Sequence, residues 1–170
     1  MSTTKNALGT LKARDIMRSN VFKLEPGTTV EEAVTSFAEL HISGAPVVDR
    51  NGKLVGVLSA FDIARPENLR NGRLEGSGGE YPMGDASNDD YDDEEVVFSM
   101  EDYSPDVLQS ATVSELMSTD VITIAPDLAL KQICALFVKE HIHRAMVVDY
   151  GKLVGIVTTL DIARAVSEAL

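Results

Sequence analysis

The stretch Gly52-Lys53-Leu54-Val55-Gly56-Val57-Leu58-Ser59-Ala60-Phe61-Asp62-Ile63-Ala64-Arg65 returns later as Gly151-Lys152-Leu153-Val154-Gly155-Ile156-Val157-Thr158-Thr159-Leu160-Asp161-Ile162-Ala163-Arg164. Working outward, Met17 matches Met117, Val21 matches Val121, Pro26 matches Pro126 and Phe37 matches Phe137. His41-Ile42 and Val47-Val48-Asp49 likewise have counterparts in His141-Ile142 and Val147-Val148-Asp149. The shift is about 100 positions throughout and loses one residue just after the Asp. Self-similarity at a fixed shift means two copies of one supersecondary unit, each too small to bury its apolar face alone. Function is therefore sought in the clefts such a pair creates, and in the differences between the copies.

Each copy reads as a short extended segment, a helix, two strands and a second helix. Residues 20–25 are extended and Pro26-Gly27 turns the chain. Thr29 followed by Glu32 has the capping-box spacing, in which a hydroxyl and a carboxylate satisfy each other's orphan N–H groups. Val30, Ala33, Val34, Phe37 and Leu40 fall at helical intervals as one apolar stripe. Leu130, Ile133, Cys134 and Phe137 repeat the first four, but Glu140 stands at the fifth place. Runs at 45–49 and 53–58 are β-rich and are separated by Arg50-Asn51-Gly52, a hairpin signal; the second hairpin turns at Tyr150-Gly151. The helix after it stops at Pro66 in the first copy and can run to Leu170 in the second. The expected fold class is α+β, built from small α/β repeats packed about a pseudo-two-fold axis.

Of the net charge of -12, most lies between the copies: 13 Asp and Glu against two Arg at 66–109. The rest of the chain is nearly neutral. No basic footprint for nucleic acid exists, and the acidic interval would repel phosphate backbones. Its Gly-rich and Asp-rich composition reads as a mobile linker at 67–110, with a short apolar island at 96–100. The Asp spacing there lacks the pattern of an EF-hand. No apolar run approaches the length of a spanning helix, so a cytoplasmic protein without membrane contact is expected. The lone Cys134 falls in the apolar phase of its helix, which predicts a buried, inert thiol. A tail at 1–11, copies at 12–66 and 111–170, and the linker make up the expected organisation.

Ser59-x-x-Asp62 and Thr158-x-x-Asp161, each where a strand enters a helix, are also capping boxes by spacing. The order of extended segment, Pro, helix, Pro46-Val47-Val48-Asp49 and the hairpin-Ser-x-x-Asp-Ile motif strongly resembles the cystathionine-β-synthase (CBS) domain family. The resemblance covers 12–66 and 111–165. It implies β-α-β-β-α units, a regulatory module that binds adenosine nucleotides in clefts between the repeats, and assembly of two pairs as a flat homodimer.

What the family implies residue by residue can be placed on this sequence. Asp62 and Asp161 would accept the ribose hydroxyls, since a carboxylate has two oxygens to receive a cis-diol. Ser59 and Thr158 would reach the ligand near its phosphate, beside the free N–H groups of a helix start. Phe22 and Ile122 would line the adenine pockets, with core packing as the other reading. Ala45 and Ala145 would offer backbone groups to the adenine edge. His143-Arg144 matches a phosphate-contacting His-Arg pair of similar domains, where the first copy has Ser43-Gly44; a solvated helix-end cation is the alternative. Met146 departs from the family's usual Pro, present here as Pro46. His41 and His141, being shared, read as structural helix ends, and Arg65 and Arg164 as partners of the motif Asp along the helix.

The function expected is a non-catalytic sensor of AMP, ADP or ATP, with or without Mg²⁺, that transmits occupancy to a partner protein. The alternatives are an S-adenosylmethionine-binding pair and a ligand-free scaffold that dimerises or docks a partner. No Walker loop, metal-ligand spacing or nucleophile elbow supports an enzyme, and no metal or catalytic cofactor is expected.

Overall fold

The structure of the protein is a computed structural model that describes residues 8–64 and 110–169. The linker expected at 67–110 and its apolar island, together with Arg65 and Pro66, lie outside the described residues up to Gln109.

In the first half, α1 (Ala13–Ile16) leads to α2 (Val30–Leu40), a hairpin of β1 (Gly44–Val48) and β2 (Leu54–Ser59), and α3 (Ala60–Ala64). The second half repeats the order with α4 (Val113–Leu116), β3 (Thr123–Ile124), α5 (Leu130–Lys139), β4 (Arg144–Asp149), β5 (Lys152–Thr158) and α6 (Thr159–Ala169). The hairpin ladders run Gly44↔Ser59 to Val48↔Leu54 and Arg144↔Thr158 to Asp149↔Lys152. Each skips one residue, Val55 or Val154, where the register shifts. An extra residue on one strand bends it and tightens its twist, and the same bend occurs in both halves.

The extended lead of each copy behaves differently for a reason in the sequence. The Met146 N–H donates to the Ile122 carbonyl at 3.4 Å, and β3 pairs in parallel with β4. Pro46, at the equivalent place, has no N–H to donate. The first half accordingly keeps only a bridge between Leu24 and Val47.

Helix α2 starts as its sequence dictates: Thr29 Oγ1 accepts from Glu32 N at 3.2 Å, and Glu32 Oε2 from Thr29 N at 3.0 Å. Those hydrogen bonds hold the Glu32 carboxyl below its ordinary pKa. Val30, Ala33 and Phe37 are buried as the stripe predicts. Leu40 is not: it is 49% exposed, at the last residue of the helix, which explains why the second copy carries Glu140 there. Cys134 is half-buried rather than buried, and burial pushes its thiol pKa up.

A histidine turns the chain after both α2 and α5: His41 caps α2, and His141 follows Glu140, the cap of α5. His41 and His141 have φ of 51° and 50°, the left-handed region, while Ile42 and Ile142 N–H groups close back onto the Phe37 and Phe137 carbonyls at 3.0 and 3.1 Å. The expected structural role of these histidines is thus visible as backbone geometry. A side chain with a Cβ is strained there, and glycine is the usual residue. Replacing His141 with glycine is expected to raise stability by about 0.5 kcal/mol in urea denaturation.

The two halves exchange their leading helices. Ala111 and Val113 pack with Leu24, Val30, Phe37, Val47, Leu58 and Ile63 of the first half. Ala13 packs with Ile124, Ile133, Phe137, Val147 and Val157 of the second. Cross-half backbone bridges come in reciprocal pairs, Lys12↔Ala129 with Thr29↔Thr112 and Arg18↔Ile156 with Val57↔Ser118. Lys53↔Lys152 joins the two hairpin tips to each other. Such reciprocity is the signature of a pseudo-two-fold axis. Around it, Val48, Met146 and Leu153 form a third apolar cluster that joins the two sheets.

Candidate functional site

The motif carboxylates sit at the first turns of α3 and α6, where β2 and β5 feed directly into helix. In the first half Asp62 Oδ2 accepts from the Ser59 N–H at 2.9 Å and from the Ser59 hydroxyl at 2.5 Å. In the second, Asp161 Oδ2 accepts from the Thr158 N–H at 2.9 Å and the Thr158 hydroxyl at 2.6 Å. The hydroxyls in turn accept from the Asp62 and Asp161 N–H groups. Capping boxes are therefore formed at both motifs. Unlike an ordinary surface cap, both carboxylates are buried, with 4% and 2% exposure.

Each carboxylate also meets the opposite half. Asp62 Oδ1 faces the Ser118 hydroxyl at 3.5 Å. Asp161 Oδ1 accepts from Arg18 Nε at 2.9 Å and from Arg164 Nη1 at 3.5 Å. Ser118 and Arg18 occupy equivalent places in the two copies, so one motif Asp faces a hydroxyl and the other a permanent cation. The pairing of Arg164 with Asp161 along α6 is as expected from the sequence; Arg65 is not described. Burial disfavours the ionised Asp161, but the bonds from Thr158 and Arg18 outweigh it and hold its pKa below the ordinary value. Arg18 was not singled out by its sequence context. The signal available was the unequal pair Arg18 and Ser118 next to the matched Met17 and Met117.

The second constellation lies against the first. Arg144 opens β4 and is the cross-strand partner of Thr158. The His143 carbonyl accepts the N–H of Thr159, the first residue of α6, at 3.0 Å; Ser43 does the same for Ala60 at 2.9 Å. Both strand ends are thus tied to the helix starts that carry the motif carboxylates. The exposed Arg144 guanidinium donates across the halves to the Ser43 hydroxyl at 3.3 Å. Arg144 therefore stands near the junction between copies, at the start of β4.

Ala45 and Ala145 are the buried second residues of β1 and β4. Ile122 is half-buried beside Met146. Phe22 is 37% exposed, two residues before Leu24, whose N–H donates to the Pro46 carbonyl. Around β4 the structure thus gathers Ile122, Ala145, Arg144 and Thr158. Among the described residues, no group of three or more His, Cys, Asp or Glu is placed to hold a metal ion, and no helix is long and apolar enough to cross a membrane.

The CBS domain profile matches residues 13–66 and 113–168, which is most of the chain. The chain belongs to the CBS domain family. Among its relatives is the uncharacterised protein MJ1232 of Methanocaldococcus jannaschii, 32% identical over 163 residues, which are 95% of this chain and 42% of that protein. The chloroplastic CBS domain-containing protein CBSX2 of Arabidopsis thaliana is 27% identical over 149 residues, covering 87% of this chain and 59% of the relative. The chain thus spans about half the length of these curated relatives. A crystal structure of CBSX2 in complex with AMP superimposes with a TM-score of 0.63 at 25% identity, covering 92% of this chain and 96% of that one. The small sheets, helices and halves described above are those of a CBS pair.

Proposed function

We propose that this CBS pair is a non-catalytic sensor that binds AMP, ADP or ATP at the junction of its halves and passes occupancy to a partner protein. One observation carries the reading: two buried carboxylates at helix starts each reach the leading segment of the opposite half. A ligand that takes a motif carboxylate must therefore act on the contact between halves. The AMP complex of CBSX2 supports adenosine as the ligand class.

In this reading Asp62 and Asp161 accept ribose hydroxyls, and Ser59 and Thr158 reach the ligand near its phosphate. Phe22 and Ile122 flank adenine, and Ala45 and Ala145 present backbone to its edge. The long helix α6 offers phosphate the positive end of its dipole. His143 and Arg144 add donors that the first half lacks, with or without Mg²⁺ on the phosphates. Sensing requires that nucleotide favour one arrangement of halves, or of two pairs in a homodimer, over another. A cytoplasmic setting and an unidentified regulated protein belong to the same proposal.

Arg144→Ala tests the phosphate assignment. A charge-assisted hydrogen bond contributes about 1.5–3 kcal/mol, so the substitution is expected to weaken ATP about ten-fold or more and adenosine hardly at all, by calorimetric titration. Equal losses for both would contradict the role of Arg144. Stabilisation by S-adenosylmethionine but by no nucleotide, read by thermal shift, would replace the ligand; no stabilisation by any of them would favour a scaffold.

A further inference from the structure

The lone-pair inventory of Asp161 is full. An ionised carboxylate offers about four acceptor sites. Oδ2 receives the Thr158 N–H and hydroxyl, and Oδ1 receives Arg18 Nε at 2.9 Å and Arg164 Nη1 at 3.5 Å. A ribose diol brings two further donors, so two of these four bonds must give way. The Thr158 bonds cap the start of α6, which leaves the two guanidinium bonds to Oδ1. The Arg164 contact is long, at 3.5 Å, and stays within one helix. The short bond comes from Arg18 of the other half, whose side chain is 50% exposed. Its backbone is pinned by reciprocal bonds with Ile156 at 2.9 and 3.0 Å. The guanidinium can therefore swing about a fixed anchor into solvent or toward a nearby anion.

We propose that Arg18 is a cation latch over the second site that makes that site selective for anionic ligands. The proposal rests on the sensor reading above. An uncharged adenosine must break the Arg18–Asp161 ion pair and gives the displaced guanidinium nothing in return. A ligand carrying phosphate breaks the same pair and offers Arg18 a new anion, so the cost is largely recovered. In the first half the equivalent residue is Ser118, which carries no charge to displace. The latch also explains how occupancy is felt by the fold. The bond that opens is one that joins the halves.

The experiment compares adenosine, AMP and ATP by calorimetry on the wild-type chain and on Arg18→Ser, which copies the first half. Arg18→Gln, which keeps the aliphatic stem, serves as a second variant should the serine chain not fold. The expected result is about ten-fold tighter adenosine binding at the second site, with ATP gaining less or losing affinity. The ratio of the two affinities then falls about ten-fold. Binding at the Asp62 site is the internal control and keeps its constants. Binding of adenosine by either variant but not by wild type also supports the latch. Equal changes for adenosine and ATP, or none, would overturn the latch while leaving the sensor intact. If neither wild type nor either variant binds any of the three, the sensor reading falls and the latch with it.

Discussion

Gly155→Val is expected to destabilise the protein by about 3 kcal/mol, the upper range for overpacking a filled site. A Cβ at Gly155 would lie 2.7 Å from Met17 Sδ and 2.9 Å from the Arg18 carbonyl oxygen. The thioether can move, since methionine is flexible. The carbonyl cannot, because it accepts the Ile156 N–H at 3.0 Å and is part of the bridge that docks the first half's leading segment on β5. Gly56 repeats the arrangement, with Met117 Sδ at 2.6 Å and the Ser118 carbonyl at 2.9 Å. The glycines thus mark where another stretch of backbone lies across each hairpin, a common use of glycine in a strand. Urea denaturation checks the expectation, with Gly27→Ala as control because nothing lies within 4 Å of a Cβ there. A loss below about 0.5 kcal/mol, the range of an ordinary surface substitution, would mean that the leading segments do not cross between halves.

Asp161→Ala should have the largest effect on ligand. Losing an acceptor for two ribose hydroxyls removes two charge-assisted hydrogen bonds, an affinity loss of about 100-fold or more for every adenosine ligand, phosphorylated or not. The stability loss is smaller, about 1–2 kcal/mol. It comprises part of a helix cap and an ion pair whose Arg18 partner is half in water and regains hydration when released. The pH dependence identifies the carboxylate. Its folded pKa lies below the ordinary value, so it contributes stability that is complete above the unfolded pKa of about 3.9 and is lost as pH falls through the folded pKa. Thermal melts of the wild type from about pH 5 downward should therefore fall more steeply than those of the variant. Parallel curves would show that Asp161 is not the ionised, bonded group described here.

The repeat and its hairpins were legible because they are written in short-range patterns. Turn residues at 50–52 and 150–151, the Thr29–Glu32 box and the buried positions of α2 all act within a few residues of themselves. Leu40 misled for a local reason as well: helical spacing places it on the stripe, but the stripe's last position hangs past the edge of the core. The exchange of leading helices was not legible, since both cores are satisfied by similar apolar residues and nothing in Ala13 or Val113 names its partner. Arg18 escaped notice for the same reason. Its meaning depends on Asp161, 143 positions away in sequence. The Ser-x-x-Asp and Thr-x-x-Asp tetrapeptides spell a cap by spacing, and the family resemblance adds a ligand contact. The structure displays the caps and adds the burial that an ordinary cap does not require.

The measurement that goes to the centre of the account is calorimetric titration of AMP, ADP, ATP and S-adenosylmethionine into the wild-type chain and Asp161→Ala. Saturable nucleotide binding by the wild type, weakened about 100-fold at one site by the substitution, is the predicted result. Nucleotide binding that survives the substitution unchanged at every site would contradict it, because no buried carboxylate at the junction of the halves would then be holding the sugar.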